Sequence, residues 1–188
     1  YNVDDIHTAI NENKKIKFKY YKWDINKKLV PRHNGDWFVV SPWALTWDDE
    51  NYYMVAFDDL DQQIKHYRVD KMMRLSVEVE KRAGKDAFKN FDMAEYSKST
   101  FGMYQGKKTR VKIEFANYMC GVFIDRFGKD ITFRPIDDEH SELHVDVNVS
   151  RQFFGWIFSL GKDVKVTGPS EVVEEMKEAA KEFLSNLE

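Results

Sequence analysis

Cysteine is almost absent: Cys120 is the only one in 188 residues, so neither an internal disulfide nor a cysteine-rich metal site can form. That usage leads us to expect a reducing, cytoplasmic setting. No apolar run approaches the roughly 18–20 residues that cross a bilayer, and no basic start leads into an apolar signal core. No membrane partner is therefore expected. An initiator methionine is missing too. The chain opens Tyr1-Asn2-Val3-Asp4-Asp5, and we expect a piece of a longer protein whose remainder lies upstream of Tyr1. The five histidines (His7, His33, His66, His140 and His144) lack metal spacing such as His-Glu-x-x-His. Asp58-Asp59-Leu60-Asp61 lacks the glycine and the distal glutamate of a calcium loop. No nucleophile–base pair stands out, and Ser159 with Lys162 is a chance pair at a helix end. The expectation is no metal, no cofactor, no catalytic residue and no enzymatic activity.

What is present describes a folded chain. Apolar residues make up 43% of it and aromatic residues 15%, too many for a disordered segment. The net charge of −3 gives no reason to expect bulk attraction to nucleic acid, but the charge is patterned. Lys14, Lys15, Lys17, Lys19, Lys22, Lys27 and Lys28 face only Asp24 within 14–28, while acidic clusters lie at Asp48-Asp49-Glu50 and Asp58-Asp59-Leu60-Asp61.

Hydrophobic periodicity divides the chain near 84–108. Ile6, Ala9 and Ile10 predict a short N-terminal helix capped by Asp4 or Asp5. Ile16, Phe18 and Tyr20 then alternate with lysines. Short strands follow at 37–40, 52–57, 64–69 and 75–79 between polar turns, the pattern of a small β-barrel within 12–82. Residues 92–103 predict a linker helix. Gly102-Met103-Tyr104-Gln105-Gly106-Lys107-Lys108-Thr109 imitates a phosphate-binding loop but is one residue short between its glycines, and reads as linker. Beyond it the order is strand (110–115), helix (117–127), strand (from 131), strand (143–149), helix (after Ser150) and strand (164–166). A long helix opened by Pro169-Ser170-Glu171 ends the chain. That order is a ferredoxin-like split βαβ unit with one extra helix. The fold class expected is α+β. The domains expected are 1–83, a barrel with its short helix; 84–108, a partly helical linker; and 109–188, the ferredoxin-like part.

Three segments resemble the signature of WYL domains: Val40-Ser41-Pro42-Trp43-Ala44-Leu45, Asn51-Tyr52-Tyr53-Met54-Val55-Ala56-Phe57, and Lys65-His66-Tyr67-Arg68-Val69-Asp70-Lys71-Met72. Ala9-Ile10 with Ile16-Lys17-Phe18-Lys19-Tyr20 is similar to the family's lead-in, and 109–188 is similar in layout to the C-terminal extension that follows many such domains. The resemblance implies a bacterial transcriptional regulator. It would have an SH3-like or Sm-like barrel that senses a nucleic-acid or nucleotide effector, an upstream domain that binds operator DNA, and a homodimeric state. The chain departs from the pattern at Tyr52-Tyr53-Met54 in place of Trp-Tyr-Leu, at Lys65 and Tyr67, and at Lys71 where an arginine is usual. Lysine offers a point charge where arginine offers a two-pronged fork.

Alternation puts His66 and Arg68 on one strand face, with Lys71 just beyond the strand. With Lys65, and with Tyr53 and Tyr20 as stacking walls, they form the expected ligand-binding set for a phosphate and a base. The plainer alternative is a solvated strand face with Arg68 paired to Asp58, Asp59 or Asp61. Likewise the Lys14–Lys28 run, interleaved with Phe18, Tyr20, Tyr21 and Trp23, suits single-stranded nucleic acid. It equally suits an edge strand guarded by lysines. Two other functions stay open at this stage: a constitutive oligomerisation and nucleic-acid-binding module without effector, and a small-molecule enzyme.

Overall fold

The structure, a computed structural model, describes residues 1–100 and 106–187. The first half of the imitation phosphate loop, 102–105, and the end of the expected linker helix, 101–103, lie outside the described residues. The chain divides into two compact units, Tyr1–Met93 and the part from Ala94 onward, each with its own core. Among the described residues no sheet runs from one into the other.

The first unit opens with α1 (Asn2–Asn11). Asp4 and Asp5 lie in its first turn, favourable for the helix dipole, but neither side chain caps it. Ile6 and Ala9 are fully buried. Six strands follow: β1 (Lys14–Trp23), β2 (Leu29–Pro31), β3 (Trp37–Asp48), β4 (Asn51–Asp58), β5 (Gln63–Arg68) and β6 (Met72–Lys81). All pairings are antiparallel, in the order β2-β1-β3-β4-β5, with β6 on the other side of β1. Two expectations are corrected here. The sheet does not close into a barrel: among the described residues β5 pairs only with β4, and β6 only with β1. The bending alternation implies is present, since β3 pairs with β1 through its first half and with β4 through its second, with a register shift between Pro42 and Ala44. The chain leaves β5 in a 3-10 turn, Val69–Lys71, and β6 runs to β1 instead of continuing beside β5. The second correction is that β1 is no edge strand, because β3 and β6 flank it on both sides.

The inner residues of this sheet make the core: Ile16, Phe18 and Tyr20 from β1, Val40 from β3, Met54 and Ala56 from β4, and Tyr67 from β5. The Ser41-Pro42-Trp43 segment fastens the chain after β6. Ser41 Oγ accepts from the Ala83 amide (2.9 Å), the Trp43 indole N–H donates to the Ala83 carbonyl (2.9 Å), and the ring stacks on Phe88 with Arg82 over it. Gly84 follows at φ +81°, where a Cβ would stand 2.3 Å from Phe57 Cγ; only glycine fits. Two short helices come next, α2 (Lys85–Phe88) and α3 (Met93–Ser99), which starts on the last residue of the first unit.

The second unit continues with β7 (Lys107–Ala116), α4 (Cys120–Phe127), β8 (Phe133–Pro135), β9 (His140–Val149), α5 (Arg151–Ser159), β10 (Val164–Gly168) and α6 (Ser170–Ser185). The antiparallel sheet order β10-β7-β9-β8, with helices in both crossovers, is the split βαβ arrangement that the element order implied. Val111, Ile113, Phe115, Leu143, Val145 and Val147 alternate inward against Phe123, Phe153 and Ile157 of the helices. Ser150 caps α5 by accepting from the Phe153 amide (3.2 Å). The opposite sheet face is a charged ladder, Arg110 across from Asp146 and Lys112 from His144. α6 packs on the core through Val172, Val173, Met176 and Ala179; Phe183, Leu184 and Leu187 near its end are exposed.

Candidate functional site

The end of β5 and the turn behind it gather the charges of the first unit. The Arg68 guanidinium donates through Nε (3.0 Å) and Nη2 (2.9 Å) to the two oxygens of Asp70, and through Nη2 to Asn51 Oδ1 (2.6 Å). Its carboxylate partner is therefore neither Asp58, Asp59 nor Asp61. This two-pronged pairing with Arg68 holds the Asp70 carboxyl below its ordinary pKa, against the opposing push of burial. Lys71, on the same turn, sits 3.3 Å from Asp70 and 4.5 Å from the centre of the Trp23 ring. The Asn2 amide pins the turn from α1 by donating to the Val69 (3.3 Å) and Met72 (2.9 Å) carbonyls. Two cations thus share one carboxylate.

Tyr20 takes a different part from the one expected. The Tyr20 ring lies in the core, edge-on to Phe18 and Tyr67, and with Arg32 over it no face is left open for stacking. Its hydroxyl accepts from the Arg68 backbone N–H (3.0 Å). Burial raises the pKa of the phenol above its ordinary value, so the hydroxyl stays neutral at physiological pH, as an unperturbed phenol also would. Tyr53 pairs across from Arg68 in the β4–β5 register and shares its face, with burial again raising the phenol. His66 lies on that face too, its ring edge-on to Tyr53 at 6.1 Å.

Lys65 belongs elsewhere. It alternates onto the side of Tyr67, where its amine bonds to Asp58 (2.8 Å) and to Asp61. Asp58 is buried, which pushes its carboxyl up. Lys65 and the Leu60 and Asp61 amides more than offset this and hold it below its ordinary value. The structure therefore gathers Arg68, Lys71, Tyr20, Tyr53 and His66 around the end of β5, and assigns Lys65 to an internal ion pair.

Several neighbours escaped sequence reasoning. A cleft of about 480 Å³ beside the Arg68 cluster is lined by Asn51 and Asp70 and by the exposed pair Trp47 and Tyr52, whose rings meet edge-on at 4.7 Å. Tyr52 alternates onto the side of buried Met54 and pairs across from Trp47, so alternation gave no sign that either would be exposed. Asp70 was not readable either, because a 3-10 turn, which strand alternation does not foresee, folds it back onto Arg68. Among the described residues no group of three or more histidine, cysteine, aspartate or glutamate side chains could hold a metal ion, and no helix is long and apolar enough to cross a membrane.

Chemically, an arginine fork and an ammonium beside one partly exposed carboxylate are preset for an anionic group with two oxygens. Neighbouring neutral phenols can donate, and an aromatic cleft adjoins. No acid–base pair with a reacting centre is formed there.

Comparison with known proteins bears on both units. Residues 1–77 match the WYL domain profile, and residues 107–184 match the profile of the WCX domain. No curated protein sequence matches the chain significantly. Similar solved structures include the proteasome accessory factor B/C (PafBC) of Arthrobacter aurescens, 15% identical, covering 94% of this chain and 25% of that one, with a TM-score of 0.40. They also include a CRISPR Cas-related protein, 16% identical, covering 100% of this chain and 53% of the other, with a TM-score of 0.52. The chain thus spans a quarter of the first and about half of the second.

Proposed function

The chain belongs to the proteins built from a WYL domain followed by a WCX domain, and on that premise we propose that it is the effector-sensing and dimerising portion of a transcriptional regulator. The effector is a nucleic acid or nucleotide, held by its phosphate at Arg68 and Lys71 in the WYL unit. The signal passes to an upstream DNA-binding domain. The observation that carries this reading is the Arg68–Asp70 fork with Lys71 beside it, a cation pair balanced by a single, half-exposed carboxylate. An incoming phosphate displaces Asp70 from Arg68 and gains the second cation. The released carboxylate and the Val69–Lys71 turn offer a local change for the rest of the protein to read. The test uses the protein with its native upstream sequence. Adding short single-stranded DNA is expected to change its operator affinity; an affinity indifferent to the oligonucleotide would mark a constitutive module instead.

Asp70 competes with the ligand in this scheme. Asp70→Asn is expected to bind short single-stranded DNA about three- to tenfold tighter, because a repelling charge a few ångströms from the phosphate is removed. Fluorescence anisotropy checks it, and an unchanged or weaker affinity would show that Asp70 positions Arg68 rather than competing for it.

The exposed end of α6 supports two-fold association. Phe183, Leu184 and Leu187 are 63%, 60% and 70% exposed on a helix whose earlier apolar residues are covered, and a palindromic operator calls for a symmetric reader. Sedimentation is expected to show dimer at high micromolar concentration and monomer for the double variant Leu184→Glu/Leu187→Glu. Parent protein that stays monomeric would contradict this.

A further inference from the structure

We infer that the outer face of β1 and its two neighbours is a track for single-stranded nucleic acid, so that the effector is an oligonucleotide rather than a free nucleotide. Its continuity with Arg68 and Lys71 rests on the reading of those residues as the phosphate site; the surface itself lies outside that site.

The track starts from a group of lysines that strand protection does not explain. Lysines on an edge strand discourage pairing with other chains, but β1 is paired on both sides. Within 14–37 there are eight lysines and arginines against two aspartates, in a chain of net charge −3. Lys14, Lys15, Lys65 and Lys71 each have a carboxylate partner. Lys17 and Lys19 do not, among the described residues. Their amines instead lie over the ring of Trp37, at 4.6 and 5.1 Å from its centre. Registers place Lys19 between Trp37 and Met73, and Lys17 between Val39 and Ser76, so these side chains share one face. Trp37, Val39 and Met73 are 43%, 41% and 36% exposed. An exposed indole with two ammonium groups held over it, neither of them in an ion pair among the described residues although Glu78 lies on the same face bonded to Ser76, offers a stacking surface and backbone charges together. That combination suits single-stranded nucleic acid of any sequence.

The face is also continuous with the Arg68 cluster. Trp23 lies six residues beyond Lys17 on the same side of β1, about 20 Å along the strand. The Lys71 ammonium is 4.5 Å from its ring centre and 3.3 Å from Asp70, the partner of Arg68. Cations and indoles therefore run from Arg68 to Trp37 over a length that one nucleotide cannot cover and a few can.

The test measures affinity for a labelled 12-nucleotide single-stranded DNA by anisotropy, and for a mononucleotide by competition. The proteins are the parent, Trp37→Ala, the pair Lys17→Ser/Lys19→Ser, and Arg68→Ala, each checked for folding by circular dichroism. The parent is expected to bind the 12-mer at least tenfold tighter than the mononucleotide. The Trp37 and lysine variants are expected to lose about tenfold for the 12-mer and nothing for the mononucleotide. Equal affinity of the parent for both probes, or full 12-mer affinity in the Trp37 and lysine variants, overturns the track and leaves the phosphate site standing. If Arg68→Ala keeps its affinity while the Trp37 variant loses it, the track stands and the phosphate site falls. Binding of neither probe by the parent overturns both.

Discussion

Arg68→Ala is expected to weaken binding of short single-stranded DNA by about ten- to a hundredfold, the equivalent of the roughly 1.5–3 kcal/mol that a hydrogen bond to a charged group contributes. The slope of affinity against salt concentration should fall by about one unit of charge, because one fewer phosphate is neutralised and its counterions stay bound. The thermal melt separates this from a structural role. Arg68 and Asp70 are 36% and 47% exposed at their side chains, and ion pairs so open to solvent contribute about 0–1 kcal/mol to stability. Melting should therefore move little while affinity collapses. A variant that melts early and binds normally would make Arg68 a structural residue and remove it from the site.

Lys65 is expected to behave in the opposite way. Lys65→Met leaves the buried Asp58 with backbone amides and the Tyr67 hydroxyl (3.4 Å) but no cation. Uncompensated buried charges cost about 3–5 kcal/mol; Lys65 keeps some solvent access, so about 2–3 kcal/mol is the expected loss. The pH dependence follows from the directions of the two shifts. Asp58 is lowered from its ordinary 3.8, so its share of the stability is intact above that value and is lost as pH falls through the still lower folded value. Lys65 is raised from 10.5, so its share is intact below that value and is lost as pH rises through the folded one. Chemical denaturation should therefore show the parent–variant difference at full size from pH 5 to 8, shrinking below about pH 3.8. Binding of single-stranded DNA by the variant at neutral pH should match the parent's. A loss of affinity with stability unchanged would return Lys65 to the ligand site.

The two residues show where the sequence was legible and where it was not. Alternation correctly placed Arg68 and His66 on one face and Tyr67 on the other, because a strand's period of two survives any register. The same reasoning in Val111-Lys112-Ile113 and Leu143-His144-Val145, with the Ser150 cap, made the second unit readable element by element. What alternation cannot carry is partnership. Arg68 had three aspartates near it on the preceding turn, and its true partner is Asp70, which only the Val69–Lys71 turn brings back. Tyr20 has the right position but the wrong orientation for a wall, since its ring is spent on the core and only its hydroxyl reaches the cluster. Closure of the sheet and the central place of β1 are properties of pairing over long sequence separations. Strand patterns fix neither, so both expectations built on them needed correction.

The most direct measurement is an amide chemical-shift titration of the protein with a short single-stranded DNA at low salt. Saturable shifts are expected at Asn51, Arg68, Asp70 and Lys71, with the Arg68 amide moving strongly because its hydrogen bond to the Tyr20 hydroxyl is part of the cluster. The amides of Leu60 and Asp61, which bind Asp58 beside Lys65, should stay still. No saturable shift at the end of β5, or shifts confined to the Asp58–Lys65 side, would contradict a phosphate site at Arg68 and Lys71.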